Sequence, residues 1–174
     1  MVNLTEVILN EGKVIQRQAE LEMEAFDFPF GSYPIIKKTP LSLQAENRGK
    51  KVLKLNGSID LEVLIPCARC LEDVRIPLSL VFEREVDMKL TEQERLDALD
   101  ESDFLNGYNL DGDKLVYGEA LLNWPAQVLC KEDCKGLCKV CGQNLNRGTC
   151  SCDSTELDPR MAKIRDIFSN FKEV

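Results

Sequence analysis

Between residues 130 and 152 the chain reads CKEDCKGLCKVCGQNLNRGTCSC and holds six of its eight cysteines: Cys130, Cys134, Cys138, Cys141, Cys150 and Cys152. Six thiols this close together constrain the fold more than any other stretch. In an oxidising compartment such a run pairs as disulfides; in a reducing one it serves metal coordination or redox chemistry. Cys138-Lys139-Val140-Cys141-Gly142 has the shape of a zinc knuckle, a tight turn that aims two thiolates at one point, with glycine where the backbone must turn. Cys150-Ser151-Cys152 brings two more thiols after GQNLNRGT, whose Gly and Asn content suits a hairpin. Cys138, Cys141, Cys150 and Cys152 can therefore close a tetrahedral site, with sites that recruit Cys130 or Cys134 as the rivals. The chain has no histidine, so a structural zinc here is all-thiolate unless a carboxylate joins.

Upstream, the pattern is that of strands. Gln18 to Glu24 alternates small or apolar residues with acids, the period of a half-exposed strand, and Asp27 to Pro34 breaks it with two prolines and a glycine. Leu41 to Ala45 reads as a second strand. Val52 to Leu55 and the alternating Ile59, Leu61, Val63 and Ile65 flank Asn56-Gly57, a strong hairpin signal that a glycine bulge in one long strand would mimic. Cys67-Ala68-Arg69-Cys70 then joins that stretch to a further alternation at Val74, Ile76, Leu78, Leu80 and Phe82. A pair of thiols between two strands lacks the helix dipole that depresses thiol pKa in oxidoreductases, so Cys67 and Cys70 read as a structural hairpin turn and not as a catalytic dithiol.

Charge is distributed unevenly. The net −8 is concentrated between residues 83 and 113, with eleven acids against three bases. This stretch reads as an exposed acidic connector with a short helix at Thr91 to Leu99. A basic cluster of Lys37, Lys38, Arg48, Lys50, Lys51 and Lys54 faces only Glu46 as a local acid, and Arg69 adds a positive charge at the cysteine hairpin. These seven are the candidate RNA-binding residues. Asp113 to Trp124 reads as a helix with Leu115, Ala120, Leu121, Leu122 and Trp124 toward the core, and Asp158-Pro159 opens a second with Met161, Ile164, Phe168 and Phe171 on one face.

Without histidine there is no imidazole base, and neither G-x-x-x-x-G-K-[ST] nor G-x-G-x-x-G occurs, so a binding or assembly protein is expected rather than an enzyme. No apolar run approaches the ~20 residues of a membrane span, and the first residues lack a secretory pattern. The expected location is the cytoplasm, without membrane or DNA partners.

CARCLEDV, an acidic stretch, LDGDKLVYGEALLNWP, LCKEDCKGLCKVCGQNLN and DPRMAKI, in that order from about Leu41 to Phe168, resemble the YceD family of large ribosomal RNA subunit accumulation proteins. The resemblance implies a factor supporting 23S ribosomal RNA accumulation or large-subunit assembly, with ribosomal RNA or a pre-50S particle as partner. It also favours Cys150 and Cys152 as ligands, because relatives carry paired histidines there, and marks metal as a structural option rather than the activity. The alternative reading is a redox-responsive zinc chaperone. The expected fold is α+β: an antiparallel β-sheet or partly closed barrel over residues 1–90 with the Cys-x-x-Cys hairpin, an acidic connector over 91–113, and over 114–174 two short helices flanking a cysteine-rich zinc-binding segment.

Overall fold

The computed structural model describes residues 1–49, 52–89 and 103–152. The chain divides into two compact units: Met1–Ile65 with Arg75–Ala126, and Pro66–Val74 with the chain from Gln127 onward. They do not follow the sequence divisions at residues 90 and 113. The helix expected at Asp113 to Trp124 belongs to the first unit, and the tip of the cysteine hairpin belongs to the second.

The first unit is mostly antiparallel sheet, curled into a half-barrel. It contains β1 (Val2–Asn3), α1 (Thr5–Leu9), β2 (Val14–Ala19), β3 (Ala25–Phe28), β4 (Gly31–Lys38), β5 (Leu41–Asn47), most of β6 (Val52–Pro66) and β7 (Asp73–Asp87), β8 (Leu105–Asn106), β9 (Asn109–Leu110) and α2 (Gly112–Leu122). β6 is the centre of the larger sheet. β5 pairs with its first half, Leu43 opposite Gly57, and β4 with its second, Ile35 opposite Val63. The two partners lie in tandem because Pro40 cannot donate to the ladder. Thr39 bridges the interruption, its N–H donating to the Asp60 carbonyl and its hydroxyl accepting from the Asp60 N–H.

β6 is one strand of 15 residues, and no turn occurs at Asn56-Gly57. The reason is parity. Leu53, Leu55, Gly57, Ile59, Leu61, Val63 and Ile65 are all buried, so the apolar face runs unbroken through the glycine. A two-residue turn would have folded that face back on itself. Gly57 is needed because the Phe82 ring of β7 lies where its Cβ would be. A strand glycine costs about 0.5–1 kcal/mol, whereas burying a phenylalanine contributes about 1.5–3 kcal/mol, so covering the glycine with an aromatic ring outweighs its backbone cost.

Other elements depart from the sequence reading. The strand expected at Gln18 to Glu24 is displaced to Val14–Ala19, where pairing with β5 fixes its register. The proline-containing stretch Asp27 to Pro34 is itself a β3–β4 hairpin, held by stacking of Phe26, Phe28 and Phe30 and closed by Tyr33 and Trp124, whose ring centroids are 4.8 Å apart. In the acidic stretch, Glu83–Asp87 completes β7, and β8–β9 form a small hairpin beside β1. Those parts are structure rather than connector. The helices expected at Thr91 to Leu99 and after Asp158 lie outside the described residues.

α2 starts where expected because Asp111 caps it, its carboxylate accepting from the N–H groups of Asp113 and Lys114. Its buried side is Leu115, Val116, Glu119 and Ala120, while Leu121 and Leu122 are exposed, contrary to the core assignment. Glu119 takes a place on the buried face because Arg84 of β7 meets it at 2.6 Å.

Candidate metal centres

Both Cys-x-x-C segments fold into the same turn. At the β6–β7 tip the Leu71 N–H donates to the Cys67 carbonyl at 3.0 Å and the Arg69 N–H to the Cys67 Sγ at 3.5 Å. In the cysteine-rich segment the Gly142 N–H donates to the Cys138 carbonyl at 2.9 Å and the Val140 N–H to the Cys138 Sγ at 3.4 Å. The residue after the second cysteine is left-handed in each case, Leu71 with φ 59 and Gly142 with φ 74. This is the knuckle geometry, with a backbone N–H capping the first sulfur of the pair.

Each knuckle meets a second pair of thiols within the second unit. Cys67 and Cys70 converge with Cys130 and Cys134, and Cys138 and Cys141 with Cys150 and Cys152; in each quartet the sulfurs all lie within 4.8 Å of one another. The hairpin quartet has Cys67–Cys134 and Cys70–Cys130 sulfur separations of 3.8 and 3.5 Å. A tetrahedral ion with Zn–S bonds of ~2.3 Å has S···S edges of ~3.8 Å, so these spacings suit ligands sharing one ion.

The backbone holds the hairpin quartet closed. Ala68 N–H donates to the Val128 carbonyl at 2.8 Å, Leu137 N–H to the Arg69 carbonyl at 3.1 Å, and the Arg69 guanidinium to the Cys134 carbonyl at 2.9 Å. Gly136, left-handed at φ 76, lets the segment pass so close that a Cβ there would stand 3.0 Å from the Arg69 carbonyl oxygen. Cys67, Cys70 and Cys134 are buried, packed by Val74, Leu129 and Leu137. In the loop quartet Cys138 is buried, Cys150 and Cys152 are half-buried and Cys141 is exposed. Its frame is the Leu137–Asn144 bridge and the Cys138 N–H bond to the Gln143 carbonyl at 2.8 Å.

The two quartets share an electrostatic pattern. Burial pushes the Cys67 thiol up, but N–H donors from Arg69, Cys70 and Cys130 outweigh it and bring the thiol down to about 6. For Cys138 the N–H groups of Cys141 and Val140 dominate and also bring it to about 6. Cys134 is also lowered, chiefly by the N–H of the Asn146 side chain, whereas burial raises Cys130 to about 12 and sharing hydrogen bonds with Cys141 raises Cys152 to about 12. The sequence reading of these thiols rests on the helix dipole alone; at Cys67 the knuckle's own N–H groups act on the thiol in the same sense.

The candidate RNA-binding residues are scattered among internal partners. Lys37 pairs with Glu62 at 3.1 Å, Arg48 with Glu85 at 3.0 Å and Glu46 at 3.8 Å, and Lys54 with Glu83 at 2.7 Å. Lys38 donates to the Leu21 and Met23 carbonyls, and Arg69 is committed to Cys134. Lys50 and Lys51 lie outside the described residues.

The sequence reading treated Cys67 and Cys70 apart from Cys130 and Cys134. A signal was available: CARCL and CKVCG place a turn residue at the same position after a Cys-x-x-Cys, and eight thiols divide into two complete tetrahedra. Among known proteins, the sequence pattern of a family described as Large ribosomal RNA subunit accumulation protein YceD matches residues 55–168. No curated protein and no solved structure matches the chain.

Proposed function

Because the chain belongs to the YceD family, we propose that it is a non-enzymatic factor that supports accumulation of 23S ribosomal RNA by binding ribosomal RNA or a pre-50S particle during large-subunit assembly. The family match carries this reading. It spans β6 from Leu55, the Cys67–Cys70 tip and both thiol quartets, so the shared part of the chain includes the residues best arranged to hold zinc. In this reading zinc is structural: it fixes short loops that bury too little apolar surface to order themselves, and those loops present the contact surface. Among the described residues no helix is long and apolar enough to cross a membrane.

Crosslinking in living cells followed by sequencing of bound RNA tests the proposal. Large-subunit ribosomal RNA should be enriched over small-subunit RNA, and cells depleted of the protein should hold less of the former relative to the latter. Equal recovery of both RNAs would sink the binding step. The redox-chaperone alternative predicts activity only after oxidation with loss of zinc, whereas the assembly reading requires activity under reducing conditions.

A further inference from the structure

We propose that Cys67, Cys70, Cys130 and Cys134 bind a divalent, zinc-type ion of their own, so that the chain carries two such ions rather than one. Three observations converge. The first is the turn: Cys67 to Leu71 reproduces the hydrogen bonds and left-handed closing residue of Cys138 to Gly142, although its closing residue is a leucine. A non-glycine residue adopts that conformation only at a cost, and such strain persists only where the surroundings demand the turn.

The second observation is convergence. Four sulfurs from two segments about 60 residues apart in sequence point at one centre, at tetrahedral spacing, inside a pocket of Val74, Leu129 and Leu137. A thiol is a weak donor and a weak acceptor, so four thiols facing one another gain little, whereas one soft cation satisfies all four. The third is the outer shell. Arg69 N–H caps Cys67, and Asn146 Nδ2 donates to Cys134 at 3.3 Å, the arrangement that orients and tunes metal-bound sulfur. Glu72 Oε2, 3.7 Å from Cys70 Sγ, opposes a thiolate there, but the same carboxylate is engaged by Arg147 at 2.6 Å.

The hairpin ion also supports the loop quartet. Residues 135–137 leave Cys134, bond to the Arg69 carbonyl through Leu137 and enter Cys138 directly, so the first knuckle anchors the segment from which the second begins. By linkage the support is mutual, each ion raising the affinity of the other site by the same factor.

The experiment counts metal on reduced full-length protein by elemental analysis, and titrates chelated, metal-free protein with cobalt(II), following thiolate-to-cobalt charge-transfer absorption. Wild type should hold two zinc ions and saturate at two equivalents of cobalt. Cys141→Ser should hold one. Cys67→Ser should lose the hairpin ion and weaken the loop site, holding one ion or fewer. Wild-type saturation at one equivalent, with that ion abolished by Cys141→Ser, overturns the proposal; so does a Cys67→Ser protein that still holds two. If Cys67→Ser does not fold, the wild-type cobalt endpoint and the ion retained by Cys141→Ser decide the question without it.

Discussion

At the scale of single residues, the knuckles explain both the strain and the acidity of the cysteine sites. Leu71 holds a left-handed conformation that a glycine adopts freely, and Gly142 occupies the equivalent position in the second turn. Leu71→Gly should therefore keep its metal. It should range from unchanged to about 1 kcal/mol more stable, because relief of the left-handed cost exceeds the added chain entropy of glycine only slightly. Leu71→Val, β-branched, should destabilise the turn. Thermal unfolding of metal-loaded protein checks both, and a marked loss of stability in Leu71→Gly would show that the leucine side chain, rather than the turn, is what the site requires. The thiols give the pH dependence. The metal-bound state carries no thiol protons and the metal-free state gains them on acidification, so stability contributed by the ion is present at neutral pH and lost as pH falls. Below about 6, Cys67 and Cys138 also protonate. Each quartet then takes up one proton more on losing its ion, and affinity should fall more steeply there. A competing-chelator titration between about pH 5 and 8 measures the slope; a constant slope through 6 would contradict the thiolate assignment at these two cysteines.

At the scale of elements, the long central strand rests on one glycine and one aromatic ring. Gly57→Ala places a methyl group into the Phe82 ring and should destabilise the first unit by about 1–3 kcal/mol, the usual cost of overpacking. Phe82→Leu in the same chain should recover part of that loss, and denaturant unfolding of the single and double variants separates the coupling from the separate costs. An additive result would mean the ring can swing aside. This pair also shows what the sequence makes legible. The alternation of β6 and β7 was readable from spacing alone, and so was the body of α2, although its capping residue Asp111 went unread. The absence of a turn at Asn56-Gly57 was readable only from the parity of the residues on either side, whereas the need for glycine at 57 comes from the Phe82 ring of β7, which no local pattern shows. Phe28, Pro29 and Phe30 misled for a related reason: two prolines usually end a strand, but stacked aromatics and Tyr33 keep this hairpin together. The loop quartet was visible because its four thiols are near in sequence. The hairpin quartet was not, because Cys70 and Cys130 become neighbours only after the chain has passed through the Arg75–Ala126 part of the first unit.

At the scale of the whole molecule, a protein of net charge −8 gains nothing from long-range attraction to RNA, so binding must come from local exchange of ion pairs. Exposed pairs contribute about 0–1 kcal/mol, and replacing a carboxylate by a phosphate costs little where both partners already meet water. Arg48 meets that condition; Lys37 is itself 75% exposed, and its partner Glu62, 22% exposed, keeps Arg75 at 3.9 Å when Lys37 turns to a phosphate. Lys54 does not: only 14% of its side chain is exposed against Glu83, and Arg69 is tied to the Cys134 carbonyl inside the hairpin site. The seven basic candidates therefore separate into residues free to exchange partners, residues that hold the fold, and Lys50 and Lys51, which lie outside the described residues. If Lys37 and Arg48 contact phosphates, reversing either to glutamate should weaken binding to large-subunit ribosomal RNA fragments. Each reversal should also make the slope of log K against log salt shallower by about 0.7–0.9, one phosphate contact's worth. Lys54→Glu should instead lower the unfolding temperature, by placing a like charge against Glu83, and leave the salt slope of the folded protein unchanged. Gel-shift titrations at several salt concentrations, with melting curves for the same variants, separate the two classes. A salt slope unaffected by Lys37→Glu and Arg48→Glu together would take this sheet surface out of RNA recognition and leave the cysteine-rich second unit, with Lys131, Lys135, Lys139 and Arg147, as the surface to test next.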